Sequence, residues 1–275
     1  MDIRTNTDQT WMEGDFLKLP LRGVGGACCA TLRIMAEHDD GSSLRESYPR
    51  LLSLAVHEFR TPASVVGGYL RMLQRDVTEQ LSDRQRKMID EAEKSCARLV
   101  SLISELSEIS KLDSGTASFK DELIDLFQLV REVAAGVHEA GDREVQLTVR
   151  GERSGAPLKA DPVRIRAAFE AFFRAILREQ PGQATVAADC RKGADGSAVV
   201  VVARDTDVQR SYDAPRAPFD EKRGGLGLVV PIACRIVARY GGRVWSPGFA
   251  GQSDAGLAGR SALILSFPLT AEQRI

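Results

Sequence analysis

The sequence lacks three features that each mark a particular class of protein. Its longest weakly polar segment near the start, residues 23–36, contains Arg33 and is too short to span a bilayer. Its five cysteines form no Cys-x-x-Cys pair and no zinc-ligand spacing, which indicates reduced thiols. Its 37 basic and 38 acidic residues leave a net charge of -1, which argues against a nucleic-acid partner. We therefore expect a cytoplasmic protein with no membrane span, no zinc site and no nucleic-acid partner.

The composition is typical of a folded protein of about two domains. The chain has 275 residues, of which 43% are hydrophobic, enough to fill ordinary cores. Residues 1–43 show no sustained hydrophobic period and are too few for a complete sensory domain, so they are interpreted as a short extension or as part of an input segment. The cluster EHDDGSS, which ends at Ser43, predicts a linker ahead of a helix that starts at Leu44.

Residues 48–73 carry the most regular hydrophobic pattern in the chain. Their apolar residues recur at spacings of four and three, which is the pattern of a coiled-coil seam. These residues are Tyr48, Leu52, Ala55, Phe59, Pro62, Val66, Tyr69 and Leu73. If Leu52 and Phe59 occupy a positions of the heptad, His57 falls at f, the position that faces solvent most directly. The segment therefore predicts a long helix that presents an exposed histidine.

The residues that follow His57 add chemistry to that exposed face. Glu58 adjoins the histidine, and Thr61 lies one turn further on, on the same side of the helix. Pro62 sits inside the helical pattern, which costs about 3 kcal/mol unless a bend at this point is useful. An exposed histidine is mostly neutral near pH 7 and has a ring nitrogen free for nucleophilic attack. A carboxylate bonded to the other nitrogen would fix the tautomer and stabilise the charged ring.

The segment HEFRTP, residues 57–62, closely resembles the H-box of sensor histidine kinases. The resemblance implies that His57 is the phospho-accepting nucleophile, that Glu58 is the acid/base partner of its ring, and that Thr61 helps to dephosphorylate a partner protein. It also implies ATP and Mg²⁺ as cofactors. The implied partner is the receiver domain of a response regulator, which takes the phosphoryl group onto an aspartate.

A second amphipathic helix follows the turn RDVTEQLSD, with Ser82 or Asp83 as its N-cap. Its apolar residues again recur at three and four, and they are Ile89, Ala92, Cys96, Leu99, Ile103 and Leu106. Gly115 is the predicted stop signal of this helix. Two antiparallel helices cannot bury both apolar stripes alone, so we expect two hairpins to join as a four-helix bundle in a homodimer. Cys96 is then a core residue.

The second half of the chain alternates strands and helices, which predicts an α/β sandwich. Predicted strands lie in ASFKDELIDL, EVQLTVRGE, PLKAD, ATVAADC, SAVVVVARDT, GGRVWS and SALILSFPL. Predicted helices lie in LFQLVREVAAGVHEAG, PVRIRAAFEAFFRAILRE and GLGLVVPIACRIVARYGG. Residues 206–223 are expected to be irregular. Arg210, Arg216, Lys222 and Arg223 fall in this stretch, where a solvated charged loop is the expectation and contact with phosphate the alternative.

This half resembles the catalytic and ATP-binding domain of histidine kinases, the Bergerat-type sandwich, so the resemblance covers roughly residues 45–272. Gly225, Leu226 and Gly227 look like the G2 box of that domain, and a helix follows them. Glycines before a helix N-terminus let backbone N–H groups approach a phosphate. Phe219 matches the phenylalanine of the F-box. The resemblance implies that these residues bind the nucleotide.

Two other boxes depart from the pattern of the family. In the G1 box, usually Asp-x-Gly-x-Gly, Asp205 remains, and the resemblance implies that it accepts a hydrogen bond from the adenine amino group. Both glycines are gone, because Asp207 and Gln209 stand in their places. In the N-box the two asparagines map to Ala171 and Ala175. The second asparagine normally gives an oxygen ligand to Mg²⁺, and alanine has none.

The N-box alignment has one alternative. A shift of one residue puts Glu170 and Arg174 at the two positions; the glutamate could bind a metal, and the arginine could only substitute for its charge. The helix also fits a purely structural role, since Phe169, Phe172 and Phe173 form a core face.

The chain is thus expected to contain an N-terminal extension or partial input segment (1–43), a dimerisation and histidine phosphotransfer domain (44–114) and a catalytic, ATP-binding-like domain (115–275). The fold class is α plus α/β, with a helical hairpin in a dimeric four-helix bundle and a Bergerat-type sandwich. Two functions are open. One is a histidine kinase with ATP-dependent autophosphorylation of His57 and phosphotransfer to a response regulator. The other is a pseudokinase, scaffold or response-regulator phosphatase with weak or no ATP turnover, which docks receiver domains or another histidine kinase.

Overall fold

The computed structural model describes residues 41–76, 81–138, 144–193, 195–249 and 260–269. These residues fold into a helical hairpin followed by a mixed α/β domain, which confirms the predicted fold class. The expected N-terminal segment 1–43 lies outside the described residues, except for residues 41–43, which belong to the first helix.

The hairpin consists of α1 (Gly41–Asp76) and α2 (Asp83–Asp113), which pack against each other. α1 starts ahead of the expected position at Leu44 and continues through Pro62. Neither helix, nor any other in the described part of the chain, combines the length and apolar character that a membrane span requires.

Local signals fix both ends of α2, as the sequence predicts. The Ser82 hydroxyl accepts a hydrogen bond from the Gln85 backbone N–H, and the Gln85 side chain accepts one from the Ser82 N–H. This capping box satisfies two N–H groups that the first turn leaves without helical partners. At the other end Gly115 has a φ of 69° and donates its N–H to the Leu112 carbonyl, so the chain leaves the helix there.

One face of α1 packs on α2. Val56 and Cys96 are buried, and the Cys96 thiol donates to the Ala63 carbonyl oxygen at 3.1 Å. Gly67 permits this approach, because a Cβ at that position would lie 3.2 Å from the Cys96 sulfur. Cys96 is therefore a core residue of the hairpin, as predicted.

A second face of α1 has no cover among the residues that the structure describes. Five large members of the predicted seam are more than two-fifths exposed, and we call them the α1 stripe: Tyr48, Phe59, Val66, Tyr69 and Leu73. An exposed apolar row of this kind on a helix indicates a surface for another helix.

The α/β domain contains every strand and helix that the sequence predicts. Its strands are β1 (Glu122–Asp125), β2 (Val145–Gly151), β3 (Pro157–Ala160), β4 (Ala184–Lys192), β5 (Ser197–Arg204), β6 (Arg216–Pro218), β7 (Arg243–Pro247) and β8 (Leu263–Pro268). Its helices are α3 (Leu126–Gly136), α4 (Pro162–Arg178), α5 (Val208–Asp213) and α6 (Val229–Arg239). The expectation of an irregular stretch over 206–223 is wrong in part, because α5 and β6 lie within it.

The strands form two sheets. The larger has the order β2-β4-β5-β8-β7-β6, with β2 and β4 parallel and all other neighbours antiparallel. The smaller pairs β1 with β3 in antiparallel fashion. This strand order places β5 near the middle of the larger sheet, where both faces of the strand can be covered.

The two faces of the larger sheet have different cover. Val200 and Val202 of β5 belong to the main core, together with residues of α3, α4 and α6. Val201 and Ala203 point to the opposite face, since side chains alternate along a strand. There the buried Val208 of α5 packs on them. The segment after β5 therefore covers the face that lies away from α4.

The C-terminal part of α2 attaches the hairpin to the α/β domain through three carboxylates. They are Glu105, Glu108 and Asp113. Glu108 pairs with Arg164 in the first turn of α4. Asp113 pairs with Arg235 of α6, with 2.7 Å between Oδ1 and Nε. Glu105 reaches the loop that precedes α6.

Candidate functional site

His57 lies on α1 and points to solvent. Its side chain is 80% exposed, and Nδ1 lies 3.5 Å from Oε1 of Glu58. The orientation follows from the packing of α1, because the preceding residue, Val56, is buried against α2 and each helical step turns the side chain by roughly 100°. The distance is long for a hydrogen bond, so the carboxylate lies beside one ring nitrogen and leaves the other open.

Thr61 and Pro62 are exposed on the turn that follows His57. Pro62 has no backbone N–H, so the carbonyl of Glu58 has no helical donor four residues further on. The missing bond falls in the turn that carries His57, Glu58 and Thr61. The three side chains of the H-box thus share one exposed and locally weakened turn of α1.

Residues 224–228, here called the glycine loop, lead into α6. Gly224, Gly225 and Gly227 have φ angles of 68°, 61° and 70°, a left-handed backbone that favours glycine. Successive N–H groups in such a loop can form a concave site for an anion. The predicted nucleotide-site residues Gly225, Leu226 and Gly227 are all in this loop.

The glycine loop is attached to α4. The Gly224 N–H donates to Oε1 of Glu179 at 2.9 Å, and Arg178 donates to the Gly224 carbonyl at 3.3 Å. A Cβ at Gly224 would lie 2.7 Å from the Cα of Ala175, so the loop backbone rests directly on the helix. No side chain larger than hydrogen fits at Gly224 without movement of one of the two segments.

The other end of the glycine loop is attached to α2. The Leu228 N–H donates to Oε2 of Glu105 at 2.9 Å. Glu105 also lies 3.5 Å from the Arg98 guanidinium. A Cβ at Gly227 would collide with Arg98 and would lie 3.0 Å from a methyl group of Leu102. Two carboxylates, from α2 and from the end of α4, therefore bind N–H groups at this loop.

Asp205 follows directly after β5. It pairs with Arg150 of β2. The preceding residue, Arg204, donates to the side chain of the buried Gln180 at 2.9 Å, at the end of α4. This contact puts Arg204 on the side of the helices. Val149 of β2 packs against the main core, so the next residue, Arg150, and its partner Asp205 lie towards the opposite face. Among the described residues, Asp205 has Arg150 as its ion-pair partner and forms no hydrogen bond with the G2-box residues.

Phe219 lies near the glycine loop, where it contacts Arg223. The Phe219 ring packs edge-on against Phe172 with 6.0 Å between centroids, and the Arg223 guanidinium lies 4.6 Å from the Phe219 centroid. Arg223 is only 3% exposed and donates to the carbonyls of Arg260 and Ala262, both at 2.8 Å. The expectation of a solvated loop is therefore wrong for Arg223, because its partners lie inside the domain.

Burial lowers the pKa of Arg223, and the carboxylates of Asp220 and Glu179 partly offset that effect. An arginine remains charged under these conditions. The positive charge therefore lies between the glycine loop and the sheet. It donates hydrogen bonds to two backbone carbonyls and to the Ser246 hydroxyl.

The N-box positions hold no metal ligand. Ala171 and Ala175 are buried, and Ala175 lies under the glycine loop. In the shifted alignment, Glu170 pairs with Arg174 at 2.8 Å. Among the residues that the structure describes, no group of three or more His, Cys, Asp or Glu side chains could hold a metal ion. The residues present do not fit the Mg²⁺ site that the resemblance implies.

No pattern in the sequence distinguishes Glu105 and Glu179 as residues of this site. Their hydrogen-bond partners in the glycine loop are 123 and 45 positions away along the chain. A glutamate on an amphipathic helix is ordinarily a solvated residue, and no local pattern distinguishes one that meets a distant loop.

Comparison with known proteins supports both parts of the fold. Residues 50–115 match the family model of the His Kinase A (phospho-acceptor) domain. Sensor protein kinase WalK of Staphylococcus haemolyticus is 19% identical over 209 residues, which are 72% of this chain and 34% of WalK. Sensor protein GacS of Pseudomonas syringae pv. syringae is 27% identical over 203 residues, 68% of this chain and 22% of GacS. The chain thus spans about a third or less of these relatives.

Two solved structures share the fold. Full-length ShkA in complex with AMPPNP superposes with a TM-score of 0.57 at 22% identity, over 81% of this chain and 46% of ShkA. Histidine kinase ThkA in complex with response regulator protein TrrA superposes with a TM-score of 0.51 at 17% identity, over 85% of this chain and 66% of that chain.

His57 is exposed within the residues that match the phospho-acceptor domain, and the mixed α/β domain follows them in the chain. Over about 70% of its length the chain is similar to sensor protein kinases. Its hairpin matches the His Kinase A (phospho-acceptor) domain, and the hairpin and α/β domain together share the fold of ShkA and ThkA.

Proposed function

We propose that the chain acts as a dimeric histidine kinase of two-component signalling, in which His57 carries a phosphoryl group that passes to an aspartate of a response-regulator receiver domain. One observation carries the proposal. His57 is exposed on α1, in a complete H-box that lies inside the matched phospho-acceptor domain. A phosphoryl acceptor must be reachable by protein partners, and this position on the helix makes it so.

The side chains around His57 suit this chemistry. Because Nδ1 is next to Glu58, the free nitrogen for attack on phosphorus is Nε2. Attack forms an N–P bond while the O–P bond to the donor breaks and the donor oxygen leaves with the electron pair. The Glu58 carboxylate favours the positive charge that develops on the ring. When the receiver aspartate attacks in turn, the N–P bond breaks, an O–P bond forms, and the neutral ring is restored.

ATP and Mg²⁺ are the donor and metal that the family resemblance implies. Support for ATP comes from ShkA, whose complex contains AMPPNP. The glycine loop, Phe219 and Asp205 are the residues that the family resemblance implies for the nucleotide. The described residues do not fit Mg²⁺ at α4, so the proposed transfer at His57 is derived without the metal.

The α1 stripe supports the proposal of a homodimer. Its exposed apolar side chains would be covered by the same stripe of a second copy, as in a four-helix bundle. The ThkA–TrrA complex supports a receiver domain as the partner, because that histidine kinase was solved with a response regulator protein. A second histidine kinase as a further partner is proposed from the H-box alone.

The proposal is tested by phosphoryl transfer at His57. Purified protein is incubated with γ-labelled ATP and Mg²⁺ and, separately, with receiver domains that carry a labelled phosphoaspartate. We expect acid-labile label on the chain from at least one donor, followed by its transfer to an unlabelled receiver domain. No label on the chain from either donor would contradict the proposed function.

Two histidine variants make the test specific. His57→Ala must lose the label, because it removes the nucleophile. His138→Ala is the matched control, since His138 is also exposed but lies after α3, outside the hairpin. Label that survives in His57→Ala would assign the acceptor to another residue.

A further inference from the structure

We propose that the α/β domain of this chain is closed to Mg²⁺–ATP by its own side chains, and that His57 is loaded from the phosphoaspartate of a receiver domain. The inference rests on the proposed function, in which His57 carries the phosphoryl group. It concerns the donor for that residue, and it follows from what occupies the region around the glycine loop.

The N–H groups at the glycine loop already bind anions of the chain itself. Such loops bind phosphate because their N–H groups and the positive end of a helix attract negative charge. Here the acceptors are Glu105 and Glu179, whose side chains are 13% and 18% exposed. A triphosphate would have to displace both carboxylates and would be repelled by their charge.

The contact between the glycine loop and α4 leaves no space for a metal. Ala175 is fully buried, and the Cβ position of Gly224 is 2.7 Å from its Cα. Mg²⁺ binds six oxygen ligands at about 2.1 Å, and it usually keeps several waters. An ion of that size between α4 and the loop would require the loop to leave the helix.

Arg223 holds the adjoining part of the domain closed. Its guanidinium rests on Phe219 and donates to two backbone carbonyls of the segment that leads into β8. Removal of these acceptors would leave a buried charge without partners, which is strongly unfavourable. Phe219, at the F-box position, therefore packs against a side chain of its own domain.

The adenine-binding position is changed as well. Asp205 pairs with Arg150 on the face away from α4, while Arg204 bonds Gln180 on the face towards it. An arginine offers only donors, so it cannot accept a hydrogen bond from an adenine amino group. The glycines that would let the G1 segment turn are absent, and α5 packs that segment on the outer face instead.

A receiver phosphoaspartate can load His57 without a nucleotide. The O–P bond of the acyl phosphate breaks, the aspartate leaves as a carboxylate, and an N–P bond forms at Nε2 of His57. The Nδ1 proton remains beside Glu58, so no other co-reactant is needed. The exposed position of His57 gives a protein donor access to the ring.

The test compares the two donors on the same wild-type chain. One sample receives γ-labelled ATP and Mg²⁺; the other receives receiver domains phosphorylated with labelled acetyl phosphate and then freed of it. We expect His57-dependent label from the receiver. Label from ATP should be at least about 100-fold lower, because loss of the groups that stabilise the transferring charge slows phosphoryl transfer by about that factor. Comparable His57 label from ATP would overturn the inference. No label from either donor would overturn the proposed function.

Hydrogen exchange tests the closure of the domain directly. In the wild type we expect the amides of residues 224–228 to exchange at the same rate with and without Mg²⁺–ATP. Glu105→Gln should speed exchange at Leu228 several-fold without nucleotide, because a neutral amide is a weaker acceptor than a carboxylate. Protection of the wild-type loop by Mg²⁺–ATP would contradict closure. Unchanged exchange at Leu228 in Glu105→Gln would contradict closure of the loop by Glu105.

Discussion

Thr61 is a residue whose role can be separated from that of His57. It is exposed one turn after the histidine, and its hydroxyl can orient water for attack on a receiver phosphoaspartate. We expect Thr61→Ala to slow phosphate release from a phosphorylated receiver by about 10- to 100-fold while His57 still exchanges its phosphoryl group. Release of labelled phosphate measures the effect. Thr61→Ser keeps the hydroxyl, so its rate of phosphate release should stay close to that of the wild type. A wild-type rate of release in Thr61→Ala would contradict a role of the hydroxyl in dephosphorylation.

Asp161 is the N-cap of α4 and the best-connected carboxylate of that helix. It accepts hydrogen bonds from the backbone N–H groups of Val163, Arg164 and Lys120. Burial alone would raise the pKa of Asp161, but these three donors outweigh it and the pKa is lowered overall. The ionised side chain therefore stabilises the fold above the ordinary aspartate pKa of about 3.9. That contribution is lost as the pH falls through the lower pKa of the folded state.

Replacement of Asp161 should therefore have a pH-dependent cost. We expect Asp161→Ala to lower the free energy of unfolding by about 1–2 kcal/mol at pH 7, with a smaller difference below about pH 4. Urea unfolding followed by circular dichroism at both pH values measures it. Asp161→Asn keeps one oxygen acceptor, so its free energy of unfolding should lie between those of the wild type and Asp161→Ala. A difference that does not change with pH would rule out ionisation as the cause.

Single residues differ in how far the sequence alone reveals their roles. The N-cap at Ser82 is predictable, because its partner Gln85 lies three positions away. The solvent exposure of His57 is also predictable, since the heptad pattern fixes the face. The burial of Arg223 is not, because its acceptors belong to residues 260–262, which only the fold brings near.

The α1 stripe is a face of α1 that the described part of the chain leaves uncovered. We expect Val66→Glu to convert the dimer to a monomer, because a charge at a dimer core would lose its water without gaining a partner. Sedimentation equilibrium measures the mass. Ser64→Glu adds the same charge on the His57 side of the helix and should leave the dimer intact. A Val66→Glu protein that stays dimeric would place the dimer contact elsewhere.

Elements also differ in how well the sequence predicts them. The run SAVVVVARDT predicts β5, because consecutive valines favour a strand. It does not predict which of Arg204 and Asp205 faces the helices, since a run of apolar residues has no alternation to read. α5 has only six residues, too few for a helical period, and its position depends on packing of Val208 against the sheet.

At the scale of the whole molecule, ion pairs help to hold the hairpin on the α/β domain. The Asp113–Arg235 pair is partly buried, with side chains 27% and 33% exposed. We expect Asp113→Asn to lower the free energy of unfolding by up to about 1 kcal/mol in dilute buffer. The difference should shrink in about 1 M salt, where the screening length falls to about 3 Å.

A second ion pair on α2 provides the control for that measurement. Glu91 pairs with Lys94 at 3.0 Å, but both side chains are largely exposed. Glu91→Gln should therefore leave the urea midpoint unchanged at either salt concentration. If the two variants have equal effects, the Asp113–Arg235 pair contributes no more than a surface pair does.

The order of elements is predictable over the described part of this chain, whereas the meeting of the two domains is not. Periods of 3.6 and 2 residues give the hairpin and the strands, because each element must bury one face. The contact of Glu105 with Leu228 depends on how the hairpin lies on the α/β domain. No pattern within the hairpin or within the α/β domain encodes the orientation of one on the other.

The contact between Gly224 and Ala175 also limits how this domain can evolve. An asparagine at position 175 would meet the backbone of the glycine loop, and any side chain at Gly224 would meet α4. Each position therefore restricts what the other accepts, and one substitution cannot restore an oxygen ligand there. Evolution of a metal-binding α4 would therefore require an intermediate protein in which the glycine loop no longer packs on α4. The loss of that contact would lower the stability of the intermediate.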